Sequence, residues 1–163
     1  AVKRGASGSP GELRGDFDLT RDLGLLYANT ECGIFGVLPQ ENRPEAVGEA
    51  IPVARRTEVR TGKAVILANC RGDEVCAYEI EIEKLYGGSA PTRNLLLRVT
   101  DPALIALTGG IVQGMSGSPI VQDGKLVGAV THVLLDDPQR GYGILAENML
   151  SASGMTAQSA ASA

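Results

Sequence analysis

The sequence predicts a mainly β fold of short antiparallel strands, and three observations carry that prediction. Twenty-one glycines in 163 residues supply many turn and bulge positions, as small-stranded β proteins use. Asp123-Gly124 stands between the apolar runs Ile120-Val121 and Leu126 to Val133, and Asp-Gly between two apolar runs is a strong hairpin signal. Residues 75–85 set Val75, Ala77, Ile80 and Ile82 against Glu79, Glu81 and Glu83, the period of a half-buried strand. The alternation slips once, between Ala77 and Ile80, which reads as a bulge.

Residues 1–16 are rich in glycine, serine and charge and read as a glycine-rich loop. Leu23 to Tyr27 and Gly33 to Leu38 are apolar runs bounded by polar turns and read as strands, followed by a loop from Pro39 to Pro44. Ala50 to Val59, Ala64 to Ala68 and Val75 to Leu85 then form an antiparallel meander. The three glutamates of its last member read as a solvated strand face, because a metal site needs convergence that one face does not give. Leu95 to Val99 is a further strand. Asp101-Pro102 before Ala103 to Leu107 predicts a short helix with Asp101 as its cap and Pro102 as its first residue. Tyr142 to Leu150 begins as a strand and ends as a helix, with Gly154 as its stop. The chain thus divides into the loop of residues 1–16, a folded domain over 17–150 and a small-residue tail over 151–163.

Composition narrows the class. Apolar residues make up 44% of the chain while aromatics reach 4% with no Trp, so the core is aliphatic. The net charge is −4 and no basic patch is interleaved with aromatics, which argues against a nucleic-acid partner. No apolar run approaches the roughly 18 residues of a membrane span, and the amino end lacks the pattern of a signal peptide. Cys32, Cys70 and Cys76 have no Cys-x-x-Cys spacing, which argues against zinc or thioredoxin chemistry; neither a metal nor a cofactor is called for. Cys70 and Cys76 are candidates for a cross-strand disulfide over a Gly72-Asp73 turn, with free buried thiols as the alternative.

The chemistry lies in Gly114-Met115-Ser116-Gly117-Ser118-Pro119. A serine nucleophile needs an exposed hydroxyl, a base for its proton and N–H donors aimed at the developing oxyanion. Glycine at 114 lets the backbone turn so that the Gly114 and Ser116 amides point into one concavity. Gly117 admits substrate close to the backbone, and Pro119 opens the next strand where a missing N–H costs little. A hairpin follows the serine, whereas the nucleophile elbow of α/β-hydrolases needs a helix there. Taken alone, the hexapeptide is also an ordinary small-residue turn.

These residues resemble the SpoIVB peptidase family, serine peptidases of endospore-forming bacteria. The resemblance runs through Gly33 to Leu38, Ile51 to Ala54, Thr57 to Val59, Tyr78 to Ile82, Val99 to Pro102, Thr108 to Pro119, Gly128 to Val133 and Gly141 to Gly143. It implies a chymotrypsin-like double β-barrel in which the amino-terminal barrel is incomplete in this chain. Ser116 matches the family nucleophile and Asp101 its triad aspartate. The family histidine lies in a Gly-His segment for which this chain has no counterpart, nor has it the family's membrane anchor and PDZ module. The resemblance therefore implies a peptidase fragment whose base lies upstream, inactive in isolation, made by cloning or by proteolysis, self-cleavage included.

His132, the one histidine of the chain, is the substitute candidate for the base. It matches a family position distinct from the triad histidine, so a place lining the cleft, with Gln113, is the leading functional role for it, and an ordinary partly buried histidine is the structural alternative. The resemblance further implies a protein substrate, the regulator of a membrane-embedded protease, met in the space between forespore and mother cell. The rival class is a degenerate peptidase fold that binds peptides by strand addition. A third reading has the missing strands supplied by another copy, giving an intertwined oligomer.

Overall fold

The computed structural model describes residues 1–15, 18–44, 49–87 and 90–154. Among the described residues, ten strands and two α-helices follow in chain order. They are β1 (Val2–Lys3), β2 (Glu12–Leu13), β3 (Leu25–Thr30), β4 (Gly33–Val37), β5 (Gly62–Arg71), β6 (Glu74–Leu85), β7 (Leu95–Val99), α1 (Pro102–Thr108), β8 (Pro119–Gln122), β9 (Lys125–Val133), β10 (Arg140–Leu145) and α2 (Ala146–Ala152). Six of the strands close into one antiparallel barrel in the order β10-β7-β6-β5-β8-β9. The two remaining pairs, β1-β2 and β3-β4, are separate two-stranded sheets.

Closure follows from the alternation in the strands. Ile66, Ile80, Ile82, Leu95, Leu97, Ile120, Val127 and Leu145 are buried together, filling the barrel as an aliphatic core. Closing the sheet leaves no free edge along most of its length. Leu104 from α1 and Met115 from the serine loop are buried in the same core, so the loop is anchored by an apolar side chain one residue before Ser116.

Three expectations need correction, and of the two readings of Cys70 and Cys76 the free thiols hold. β6 alternates without the slip predicted between Ala77 and Ile80: Tyr78, Ile80 and Ile82 face in, Val75 and Ala77 face out. Tyr78 supplies the inward position, and the irregularity falls further on, between Ile82 and Lys84 against β7. Residues 50–59 are not a strand. Pro52 has no N–H to give a ladder, and the segment makes one parallel bridge, Val53 with Leu126, before a 3₁₀ turn at Arg56–Glu58. Residues 1–15 are not a plain loop, because β1 and β2 pair with each other and the segment is tied to the barrel. Cys70 and Cys76 are free: the register sets Cys76 opposite Ala68, with a shift before Arg71, and the buried Tyr78 hydroxyl has both thiols as neighbours.

Glu83 also departs from the solvated face expected of it. Arg98 Nε donates to Glu83 Oε1 at 2.6 Å and Arg140 Nη2 donates to the same oxygen at 3.0 Å. These contacts, Arg140 first, hold the Glu83 carboxyl below its ordinary value despite the opposing effect of burial. A depressed folded-state pKa contributes stability that is present above the unfolded value, near 4.5, and is lost as pH falls through the folded value. Thermal unfolding followed by circular dichroism should therefore show the melting temperature falling below about pH 4.5, with Glu83→Gln reducing that fall. The expected size at neutral pH is about 1 kcal/mol for a largely surface ion pair.

The predicted helix is present with its cap. Asp101 Oδ1 accepts from the amides of Ala103 at 2.8 Å and Leu104 at 3.0 Å, Pro102 is the first helical residue, and Gly109 closes the helix with φ +82°. The strand-to-helix reading of Tyr142 to Leu150 is realised as β10 and α2, with Gly154 at φ +74° just beyond the Ser153 cap. The tail expected over 151–163 lies outside the described residues from 155 onward.

Candidate active site

Ser116 sits on the tight connection that leads into β8. Gly114 and Gly117 flank it with φ of +96° and +92°, values a residue with a Cβ adopts only under strain. The connection is held at both ends. Met115 N donates to Val112 O at 3.1 Å and Ser118 N to Met115 O at 2.9 Å, and buried Met115 fixes the loop from below. Gly117 N reaches Val130 O at 2.8 Å while Val130 N reaches Ser118 O at 3.0 Å, so the loop is stitched to β9. Ser116 itself is exposed. Among the described residues no acceptor takes the Gly114 or the Ser116 amide. Two uncommitted N–H donors beside an exposed serine hydroxyl are what an oxyanion hole requires.

The hydroxyl donates to the Thr131 carbonyl at 3.1 Å, which lays β9 directly beside Ser116. β8 pairs with β9 only as far as Ala129, so residues 131–133 continue past the end of β8 and alongside Ser116. A cavity of about 200 Å³ opens there, lined by Ile111, Val112, Gln113, Ser116, Val130, Thr131, His132 and Val133. His132 is exposed at its rim and also lines a neighbouring cavity of about 750 Å³ with Glu31, Tyr86, Thr92, Arg93 and Tyr142. In that second cavity the Arg93 guanidinium lies 5.5 Å from the Tyr142 ring centre, and Tyr86 stacks obliquely on Tyr142 at 6.2 Å.

The structure thus brings Ser116, Gly114, Gln113 and His132 to one place. Asp101 is not among the residues lining the Ser116 cavity. Besides capping α1, it accepts the Glu79 amide on Oδ2 at 3.2 Å. Burial raises its pKa, yet the amides of Leu104, Glu79 and Ala103 outweigh that and hold the carboxyl below its ordinary value. A carboxylate with both oxygens engaged by backbone N–H groups stays ionised and stays in place.

The amino-terminal segment reaches this site too. Leu13 N donates to Gln113 O at 2.7 Å and Gln113 N to Gly11 O at 2.9 Å. A Cβ built at Gly114 would meet Leu13 Cβ at 2.9 Å, so the segment bears on the turn that carries Ser116. Sequence reasoning missed this support, as it missed Thr131, Ile111, Val112, Val130 and Val133. Flanking apolar residues in strands read as core, and nothing in their spacing distinguishes a pocket wall from a packed interior.

The β3-β4 hairpin carries a different signal. Leu25, Leu26, Ile34 and Val37 are 81%, 67%, 63% and 59% exposed, an apolar two-stranded sheet outside the closed barrel. A two-stranded sheet of this kind is not stable alone in water.

Comparison with known proteins agrees with this geometry. Two solved structures of the Rv3671c protease from M. tuberculosis resemble the chain. Its active form has a TM-score of 0.54 at 21% identity, covering 82% of this chain and 59% of that one. The inactive form gives 0.53 at 21% identity, covering 80% and 67%. At such identities the likeness establishes the fold, a mainly β chymotrypsin-like architecture, and this chain spans somewhat under two thirds of the active-form neighbour. No curated protein sequence matches significantly. A family model described as SpoIVB peptidase S55 matches residues 1–150, with the Ser116 turn, the β8-β9 hairpin and the Thr131-His132 strand inside that span. The chain belongs to the SpoIVB peptidase S55 family of serine peptidases.

Proposed function

We propose that this chain carries the nucleophile, oxyanion hole and cleft strand of a serine endopeptidase that works through an acyl-enzyme. The observation that carries the reading is Ser116 exposed between two uncommitted amides and the edge of β9 that runs on past the end of β8. In this reading Ser116 Oγ attacks the scissile carbonyl, and its proton passes to a base. The Gly114 and Ser116 amides hold the oxyanion. The proton returns to the leaving amine, and water releases the acyl group by the reverse sequence.

The base comes from a histidine outside these residues. Ser116 Oγ donates to Thr131 O and not to His132, which favours a rim role for His132. In an extended enzyme His132→Ala should cost less activity than Ser116→Ala; equal and complete loss in both would reverse that assignment.

Asp101 enters as the cap that holds α1 and the turn after it, held by three backbone amides and outside the lining of the Ser116 cavity. Asp101→Asn keeps an oxygen for the cap and should leave turnover within a few fold, while Asp101→Ala should lower stability by about 1 kcal/mol. A loss near 10⁴-fold in Asp101→Asn would instead mark the tautomer-fixing role of a triad aspartate. Turnover and thermal unfolding measured side by side separate the two.

The substrate is a protein, and the sporulation setting belongs to this reading through the family alone. The rival reading, a binding domain without catalysis, is favoured by the same edge of β9, which can accept a peptide strand. Labelling with a fluorophosphonate, read by intact mass on the chain and on an upstream-extended form, decides between them. Adduct on Ser116 supports the peptidase, and peptide binding without adduct in either form supports the binding domain.

A further inference from the structure

The cavity beside Ser116 has a wall composition that selects a side chain. Ile111, Val112, Val130 and Val133 line it; the first three are almost wholly buried, so they are fixed walls. No charged side chain lines it. Its back is closed by a close approach: a Cβ at Gly141 would strike the His132 carbonyl and meet Ile111 Cδ1 at 2.7 Å. Ile111 therefore occupies the depth that Gly141 leaves open. At about 200 Å³ the space exceeds the roughly 150 Å³ in which an apolar cavity holds a six-carbon ring.

The cavity is also correctly placed to read one substrate residue. A peptide added to this edge of β9 runs past Thr131 to Val133 with its carbonyl at Ser116. The side chain of the residue that supplies the scissile carbonyl then falls into the cavity. Resting on the reading of Ser116 as nucleophile, we propose that this enzyme cleaves after an uncharged aliphatic residue, Val, Ile or Leu, selected by the Ile111–Val112–Val130–Val133 pocket. Lys and Arg are rejected because no carboxylate lines the pocket, and Asp and Glu because its aliphatic walls hold no cation, His132 standing at the rim; an unpaired buried charge is strongly disfavoured. Glycine and alanine are selected against by unfilled apolar wall. One methylene in a hydrophobic pocket is worth about 10- to 200-fold in discrimination.

Peptidyl boronic acids that differ only in the residue next to boron test this. A boronate adds to a serine hydroxyl, so the dissociation constant reads the pocket directly. The chain and an upstream-extended form would be titrated with Gly, Val, Leu, Lys and Glu variants, with Ser116→Ala as the control. The expected result is binding at least about 10-fold tighter for Val or Leu than for Gly, and weaker still for Lys and Glu. Val133→Asp should shift the preference toward Lys, with thermal unfolding confirming that the variant is folded; Val133→Ala gives the enlarged, still apolar pocket and should improve Leu relative to Val. Ser116-dependent adducts with equal affinity across the series, or with Lys or Glu preferred, would overturn the pocket assignment and leave the nucleophile standing. Absence of any Ser116-dependent adduct in both forms would overturn the nucleophile and the pocket together.

Discussion

Ser116→Ala in an upstream-extended enzyme is expected to abolish fluorophosphonate labelling and to lower kcat by about 10⁶-fold, the size found when a serine-peptidase nucleophile is removed. The 163-residue chain itself is expected to stay unlabelled on the same timescale, because its serine proton goes to the Thr131 carbonyl, which is no base. The fold should be unaffected: Ser116 is exposed and its loop is held by Met115 and by backbone bonds to Val130. Labelling of the short chain that disappears in Ser116→Ala would show a competent base within it, and His132 would take that role.

Gly114→Ala is expected to be the second most damaging change, and by a different route. The position holds φ +96°, and the new Cβ would stand 2.9 Å from Leu13 Cβ and 3.2 Å from Leu13 O. The turn must then rotate or push the amino-terminal segment away, and either displaces the Gly114 amide from the oxyanion position. Losing one oxyanion donor costs about 10²- to 10³-fold in kcat. Strain at such a φ adds about 1–3 kcal/mol of destabilisation, or roughly 2–12 °C in melting temperature for a domain of this size. Gly117→Ala is the comparison: φ there is +92°, yet nothing lies within 4 Å of its Cβ. It should carry the strain without the clash, so the stability loss at Gly114 should be the larger. Equal melting temperatures would show that Leu13 yields freely and that the amino-terminal segment does not brace the turn.

That bracing gives residues 1–15 a purpose that their composition hides. A glycine- and serine-rich stretch carries no periodicity, so it reads as loop. Its backbone nonetheless pairs through Gly11 and Leu13 with Gln113, a contact some hundred residues away in sequence.

Much of the barrel was legible because alternation, turn chemistry and capping act locally. Asp123-Gly124 turns β8 into β9, Asp101-Pro102 starts α1, and Glu79 and Glu81 mark the outward face of β6. Misreadings arose where a local pattern had two solutions. Val75 and Ala77 are apolar, so they read as inward, yet Tyr78 and the half-buried Cys76 take the inward positions. Ala50 to Val59 has strand-like composition, yet Pro52 and the turn at Arg56 limit it to a single bridge. Glu83 reads as solvent-facing until Arg98 and Arg140 arrive from β7 and β10.

By itself, then, the sequence determined the mainly β class, the serine turn and its two flanking glycines. Those depend on φ preferences and on a period of two, which each short segment carries within itself. The tertiary structure alone decided what stands around Ser116: the Thr131 carbonyl on its hydroxyl, four aliphatic walls from two segments, and Leu13 behind Gly114. It also engaged Asp101 with the Glu79 amide across two strands. Such arrangements depend on register and barrel closure, which couple residues far apart in the chain, and no local pattern encodes them.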